Sequence, residues 1–188
     1  MTKTEIYNNI KYNENLVRQY QRTISSLQNK NSSLNSQING WNNQISSSNL
    51  RRSQLQSQIS ELTKLKIKYK TLQDNFASRQ SRRSNKLTLN FAQKANTFKF
   101  LSSYVIGMKS LLSGNEYKSA YNGLSAAMET IAKKVKTIQI EIDIITRDIS
   151  TLQSRINANQ NERRATQEKI NQTNGDLAYR QQRIVYWK

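Results

Sequence analysis

The segment LLSGNEYKSAYNGLSAAM, residues 111–128, stands between two long stretches in which apolar residues recur at steps of three and four. Ser113 followed three residues later by Glu116 is the signature of a capping box, which satisfies free backbone N–H groups where a helix begins. Gly114 lies between them and suits a reversal of the chain. The segment therefore predicts a hairpin corner, from which a long last helix starts.

Beyond this corner, one heptad frame continues to the C-terminus. Its apolar part comprises Leu124, Met128, Ile131, Val135, Ile138, Ile142, Ile145, Ile149, Leu152 and Ile156. From Asn159 onward the same frame mixes polar and apolar residues, and it ends at Trp187. The repeat predicts a coiled-coil helix from about residue 115 to 173 or beyond. The Asn-Gly pair within 173–177 predicts a break.

Upstream of the corner, a second frame has Ile-type and Leu-type positions with three polar interruptions. Its members are Ile24, Leu27, Asn31, Leu34, Ile38, Trp41, Ile45, Ser48, Arg52, Leu55, Ile59 and Leu62. The next apolar residues are Leu65, Tyr69, Leu72 and Phe76, and the repeated step of three predicts a stammer. We expect a first helix over about 4–82 and a shorter one over about 87–112.

The predicted fold is all-α, an elongated antiparallel helical hairpin or coiled coil with a short third helix at its head. We divide the chain into a first long helix (1–82), a head helix with its turn (83–113) and a last long helix (114–188). The seams carry many Gln, Ser and Asn residues, and only 35% of the chain is hydrophobic. Such a polar seam indicates that a partner chain or self-association completes the packing of the two long helices.

The composition argues against catalysis and cofactor binding. Cysteine and histidine are absent, which excludes disulfides and Cys- or His-based metal and nucleophile sites. No nucleophile–base pair or phosphate-binding loop appears either. We therefore expect no enzyme activity, no cofactor and no metal, and a functional surface made of helix faces.

The net charge is +18, and residues 51–100 contribute twelve basic and two acidic side chains. Four of these basic residues share one helix face at i, i+3, i+4 and i+7: Arg79, Arg82, Arg83 and Lys86. This basic stripe fits either contact with phosphate or an acidic protein, or a solvated helix face. A basic coiled coil that binds nucleic acid, or a structural virion or scaffold protein, is therefore the alternative to a protein-binding role.

No apolar run approaches the ~20 residues of a membrane span, and the N-terminus lacks an apolar signal core. We expect a cytoplasmic protein with no membrane span. Homo-oligomers are a further possibility for an incomplete coiled coil. The residues predicted to face a partner helix are Ile38, Trp41, Ile45, Ile142, Ile145, Ile149 and Leu152.

The corner also resembles a known turn. Leu112-Ser113-Gly114 and Ala120-Tyr121-Asn122-Gly123 are similar to the Trp-x-Gly turn, with its following aromatic and glycine, of the WXG100 family exported by type VII secretion systems. Residues 85–157 look more like the small helical proteins encoded beside LXG-type toxins of Gram-positive bacteria. That resemblance implies a targeting partner or chaperone that binds a toxin's helical N-terminal domain and is exported with it.

Overall fold

The structure, a computed structural model, describes residues 2–92, 106–107, 110 and 114–187. It contains two long helices, α1 (Lys3–Ala92) and α2 (Asn115–Trp187), which pack against each other. No strand occurs in the described part of the chain. The prediction of an all-α helical hairpin, made from the two apolar repeats, is confirmed.

The chain divides into two compact units, one of Met1–Leu50 with Ile145–Lys188 and the other of Arg51–Ile144. In the first unit, Asn13 contacts Arg180 whereas Gln37 contacts Asn159. In the second unit, Arg51 contacts Glu141 whereas Gln73 contacts Ser125. Residue numbers rise along α1 as they fall along α2, so the helices are antiparallel within each unit.

Side chains and backbone groups define both helix starts. Thr2 and Glu5 form a reciprocal capping box, with Glu5 accepting from the Thr2 N–H at 2.7 Å and Thr2 Oγ1 accepting from the Glu5 N–H at 3.3 Å. At the corner, the Gly114 carbonyl accepts from the Lys118 N–H at 3.3 Å, and α2 begins at the next residue. The predicted start near residue 115 is therefore confirmed, while Ser113 lies outside the described residues.

The packed positions follow the predicted frames. Every member of the 24–62 frame and of the 124–187 frame is buried or half-buried. The buried apolar residues in the described part are Leu34, Ile38, Leu55, Ile131, Ile138, Ile142, Ile156 and Ile170. Burying each such side chain contributes about 1.5–3 kcal/mol before the entropy of ordering the chain is subtracted.

Two predicted interruptions are wrong. Helix α1 does not end near residue 82 but continues to Ala92, and a separate helix does not begin at 87. Residues 79–92 hold neither glycine nor proline, so nothing in the local backbone ends the helix there. Helix α2 likewise runs through the expected break at 173–177, where Thr173 is buried in the frame and its hydroxyl donates to the Lys169 carbonyl. Most of the remaining predicted head helix falls outside the described residues.

The stammer after Leu62 is also wrong. The packed positions continue at Tyr69 and Gln73, and Gln73 is only 3% exposed. Its amide donates to the Tyr121 carbonyl at 3.2 Å and to Ser125 Oγ at 2.7 Å. Because these hydrogen bonds hold Gln73 inward, Leu72 turns outward, with 55% exposure.

Gly40 lies within α1, and a Cβ atom built on it would meet nothing within 4 Å. Alanine is favoured over glycine in a helix interior by about 1 kcal/mol. We expect Gly40→Ala to raise the unfolding midpoint by roughly 2–4 °C, measured by circular dichroism. An unchanged or lowered midpoint would contradict the open environment of Gly40.

Candidate interaction surfaces

The residues predicted to face a partner helix lie instead at the seam between α1 and α2. Ile38 and Ile142 are 5% and 6% exposed, so the chain's own packing closes both of them off. The other predicted interface residues are half-buried: Trp41, Ile45, Ile145, Ile149 and Leu152. The prediction is therefore wrong for Ile38 and Ile142, since a heptad position that meets the second arm is not available to another chain. The half-buried residues keep one side accessible.

The seam of the first unit contains a polar cluster. Asn31 donates to Gln167 Oε1 at 3.2 Å, and Arg163 Nη1 donates to Asn35 Oδ1 at 2.8 Å. Asn31 Oδ1 and Arg163 Nε are buried atoms without a hydrogen-bond partner among the residues that the structure describes. Unsatisfied buried polar atoms cost about 1–3 kcal/mol each. This cluster therefore lowers stability and, like polar seam positions in other coiled coils, restricts the pairing of the helices.

Two open grooves of about 430 and 270 Å³ border this cluster, and both are lined by Asn31, Arg163 and Gln167. The residues that line them carry mainly amide and guanidinium groups, and both grooves are wide open to solvent. Small-molecule sites are instead concave and mostly apolar. The grooves thus fit side chains of a neighbouring helix better than a metabolite.

The basic stripe of Arg79, Arg82, Arg83 and Lys86 is exposed at all four positions. The structure records no ion pair or hydrogen bond for these four side chains with any part of the chain it describes. By contrast, Lys70 lies 2.8 Å from Asp74, and this hydrogen bond and charge raise the pKa of Lys70. The stripe is an accessible patch of positive charge.

Ion pairs on the helix surfaces connect the arms within each unit. Lys30 lies 2.7 Å from Glu162 in the first unit, and Arg51 lies 2.9 Å from Glu141 in the second. These side chains are about half exposed, so each pair contributes at most about 1 kcal/mol. They support the alignment that the apolar seam sets up.

Exposed leucine, isoleucine and phenylalanine side chains lie mostly in the second unit, while the first unit exposes Leu50, Val185 and four tyrosines. Those of the second unit on α1 are Leu65, Ile67, Leu72 and Phe76, with exposures of 37%, 60%, 55% and 37%. On α2, Ile140 is 51% and Ile144 is 46% exposed. Ile140 and Ile144 therefore lie on the outward side of α2, and within the described residues this side has no cover.

The turn motif is only partly a turn. Gly114 forms the bend before α2, whereas Ala120, Tyr121 and Gly123 lie inside that helix, and Leu112 is outside the described residues. Tyr117 stacks on Phe76 at 4.9 Å between ring centroids. The aromatic residues Tyr117 and Tyr121 therefore serve helix packing, whereas Ala120 and Gly123 are exposed on α2, inside the helix that the capping box predicts from about residue 115.

Aromatic and cationic groups meet at the end of α2. Arg183 lies 5.2 Å from the Trp187 ring and 5.8 Å from the Tyr186 ring, while Tyr186 is 73% exposed. The buried Trp187 Nε1 has no hydrogen-bond partner in the described structure. Trp187 therefore packs in the frame, as its heptad position predicts, and Tyr186 remains on the surface.

Neither long helix is apolar enough over a sufficient length to cross a membrane, within the residues that the structure describes. The same residues contain no cluster of three or more potential metal ligands. The sequence matches no protein-family model, and no curated protein and no solved structure shows significant similarity to it.

Proposed function

We propose that this protein is a non-catalytic helical partner that binds the helical N-terminal domain of an LXG-type toxin and accompanies it to a type VII secretion system. The observation that carries a partner-binding role is the incomplete cover of the apolar surface. Much of the seam stays half-exposed, and Ile140 and Ile144 add an uncovered apolar strip. Helical partners recognise such strips by inserting their own apolar side chains.

The choice of toxin rests on the resemblance of residues 85–157 to proteins encoded beside LXG toxins. The observed hairpin is compatible with that resemblance, because a long two-helix layer can accept further helices along its open sides. A partner domain would supply the third side of the bundle. Binding of this kind requires no catalytic group or cofactor.

The test is a pull-down of the tagged protein from its native host at about 0.5 M salt, where surface charge is screened beyond a few ångströms. We expect a large toxin with a helical N-terminal domain to be recovered. Ile140→Glu with Ile144→Glu should lower that recovery roughly tenfold or more, since it places charge on the binding strip. Gln153→Glu with Asn157→Glu, an exposed pair at the same spacing on α2, serves as the control.

Recovery that is equal for both pairs of variants would contradict a role for the strip. Recovery of no protein partner would contradict the proposed function itself.

The exposed basic stripe supports a second candidate, binding of nucleic acid. Phosphate contacts are lost steeply as salt rises, whereas a helical complex held by apolar contacts persists. If nucleic acid alone is recovered, and only at low salt, this second function replaces the first. Self-assembly into a scaffold would instead appear as concentration-dependent oligomers of the purified chain.

A further inference from the structure

One flank of α1 in the second unit combines uncovered apolar side chains with unpaired positive charge. Its members follow one another at helical steps of three and four: Leu65, Lys68, Leu72, Phe76, Arg79, Arg83 and Lys86. Side chains at these steps share one side of a helix. We call this set the basic flank, and it extends for about 32 Å along α1.

The apolar part of the flank is exposed because of a local conflict in the sequence. The apolar pattern after Leu62 predicts that Leu65 and Leu72 face α2. In the structure Gln73 faces α2 instead, and both leucines are exposed. The two hydrogen bonds from the Gln73 amide would be lost if α1 rotated to bury Leu72. The exposed leucines are therefore a stable feature of the hairpin, and Phe76 joins them to the seam through its stacking on Tyr117.

The charge of the flank identifies the kind of molecule that fits it. Between residues 51 and 92, α1 carries ten basic and only two acidic side chains. One of the acids, Asp74, already pairs with Lys70, and the other, Glu61, precedes the flank by one turn. The structure records no ion pair for Lys68, Arg79, Arg83 or Lys86 within the described residues. An occupant must therefore supply carboxylates as well as apolar contacts.

We infer that the basic flank is a docking surface for an acidic amphipathic helix of a partner protein. The partner's apolar side chains would cover Leu65, Leu72 and the exposed edge of Phe76. Its carboxylates would meet the cations at Lys68 and Arg79–Lys86. This inference rests on the proposed partner-binding role and specifies the charge and the site of the partner.

Other occupants fit less well. Residues 93–113 of this chain contain Lys94, Lys99 and Lys109 and no acid, so they would add like charge to the flank. A second copy would bring its own basic flank and repel the first. Nucleic acid would neutralise the cations, but Leu65 and Leu72 provide no aromatic surface on which bases stack, and the ring of Phe76 is already stacked on Tyr117.

The first experiment measures binding of a fluorescent acidic peptide to the full-length protein by anisotropy at about 0.15 M salt. The peptide has three heptads with Leu at positions a and d and Glu at positions e and g. We expect saturable binding, whereas the peptide with Lys in place of Glu should not bind. Binding of the Lys peptide, or tighter binding of an oligo-dT strand than of the acidic peptide, would overturn the inference.

Variants locate the binding site. Arg79→Glu with Arg83→Glu should weaken peptide binding by roughly tenfold or more, because it reverses charge at the site. Arg18→Glu with Arg22→Glu, an exposed arginine pair at the same spacing in the other unit, should change it less than about twofold. Equal losses from the two pairs would show that only net charge matters and would overturn the inference.

The absence of cysteine makes a second, independent readout possible. In separate variants, Leu72→Cys and Leu50→Cys each introduce a single thiol at a side chain that is more than half exposed. Maleimide should label both at similar rates, and the acidic peptide should slow only Leu72→Cys. Slow labelling of Leu72→Cys in the absence of peptide would overturn the inference, because another occupant would already cover the flank. If the labelling rate does not depend on protein concentration, that occupant is residues 93–113. If labelling slows further as protein concentration rises, the occupant is a second copy of the chain.

These results are separable from the pull-down. Peptide binding at the basic flank with no toxin recovered would overturn the toxin assignment and support the flank. The opposite outcome is also informative. If the parent chain and the variant Arg79→Glu with Arg83→Glu recover equal amounts of toxin at low salt, the proposed function is supported and the flank is overturned as its docking site.

Discussion

Replacing Leu55 by aspartate is expected to lower the midpoint of thermal unfolding by roughly 10 °C or more. Leu55 is 1% exposed and is among the most deeply buried side chains of the described structure. An uncompensated charge at such a site costs about 3–5 kcal/mol, and each kcal/mol corresponds to about 2–4 °C in a chain of this size.

The control is Leu50→Asp, which makes the same chemical change on the same helix at a side chain that is 63% exposed. Its midpoint should stay within about 2 °C of the parent, as expected for a surface change of ±0.5 kcal/mol. Circular dichroism at 222 nm measures both. Equal shifts for the two variants would contradict the seam, since the difference in burial would then have no consequence.

The seam itself was predictable because its signal is repeated many times. Across residues 24–62 and 124–187, each apolar residue at a seam position has another seam position three or four residues away, on the same face of the helix. Isolated polar members such as Asn31, Ser48 or Arg163 do not disturb the frame. A helix seam depends on the sum of these positions, so the sequence pattern and the packed structure coincide.

Local exceptions were not predictable in the same way. Leu72 is apolar and Gln73 is polar, so a count of apolar positions turns the helix toward Leu72. The structure turns it toward Gln73 because two specific acceptors on α2, at Tyr121 and Ser125, lie within reach of the amide. Such acceptors become known only when the two arms are aligned. The candidate docking surface, which depends on Leu72 facing outward, was therefore missed by the sequence pattern.

The predicted breaks failed for a related reason. Asn-Gly at 174–175 is a turn signal in isolation, but long helices tolerate one glycine when their neighbours pack. Thr173 and Ile170 are both buried against the seam, and their packing carries α2 past the dipeptide. The one feature of the sequence that favours a continuous helix is the seam frame itself, which continues on both sides of Gly175.

Replacing Asn31 and Arg163 together by leucine is expected to stabilise the hairpin. Each residue contributes one buried polar atom that lacks a partner in the described part of the chain, and leucine removes that cost while adding apolar contact. Exchanging buried polar groups for apolar ones in this way gains about 1–4 kcal/mol, or roughly 4–8 °C for a gain of 2 kcal/mol. The groups left behind on Asn35 and Gln167 are exposed and can be hydrated.

The same double replacement is expected to reduce pairing specificity. With Asn31 and Arg163 gone, the alignment of α1 and α2 loses its hydrogen bonds to Gln167 and Asn35, and a shift by one heptad costs less. Apolar seams that lack such polar positions also associate between chains. We expect light scattering after size exclusion to show a larger mass for the double variant than for the parent.

The matched control is Asn29→Leu with Arg164→Leu, which changes the same residue types at exposed positions. Its midpoint should remain within about 2 °C of the parent. A double seam variant that melts lower than the parent would show that the polar cluster is a net stabiliser, held by contacts beyond the two hydrogen bonds. A more stable variant with unchanged mass would mean that the apolar frame alone sets the pairing. A higher midpoint together with a larger mass is expected only if the polar cluster lowers the stability of the hairpin and also restricts α1 and α2 to a single alignment.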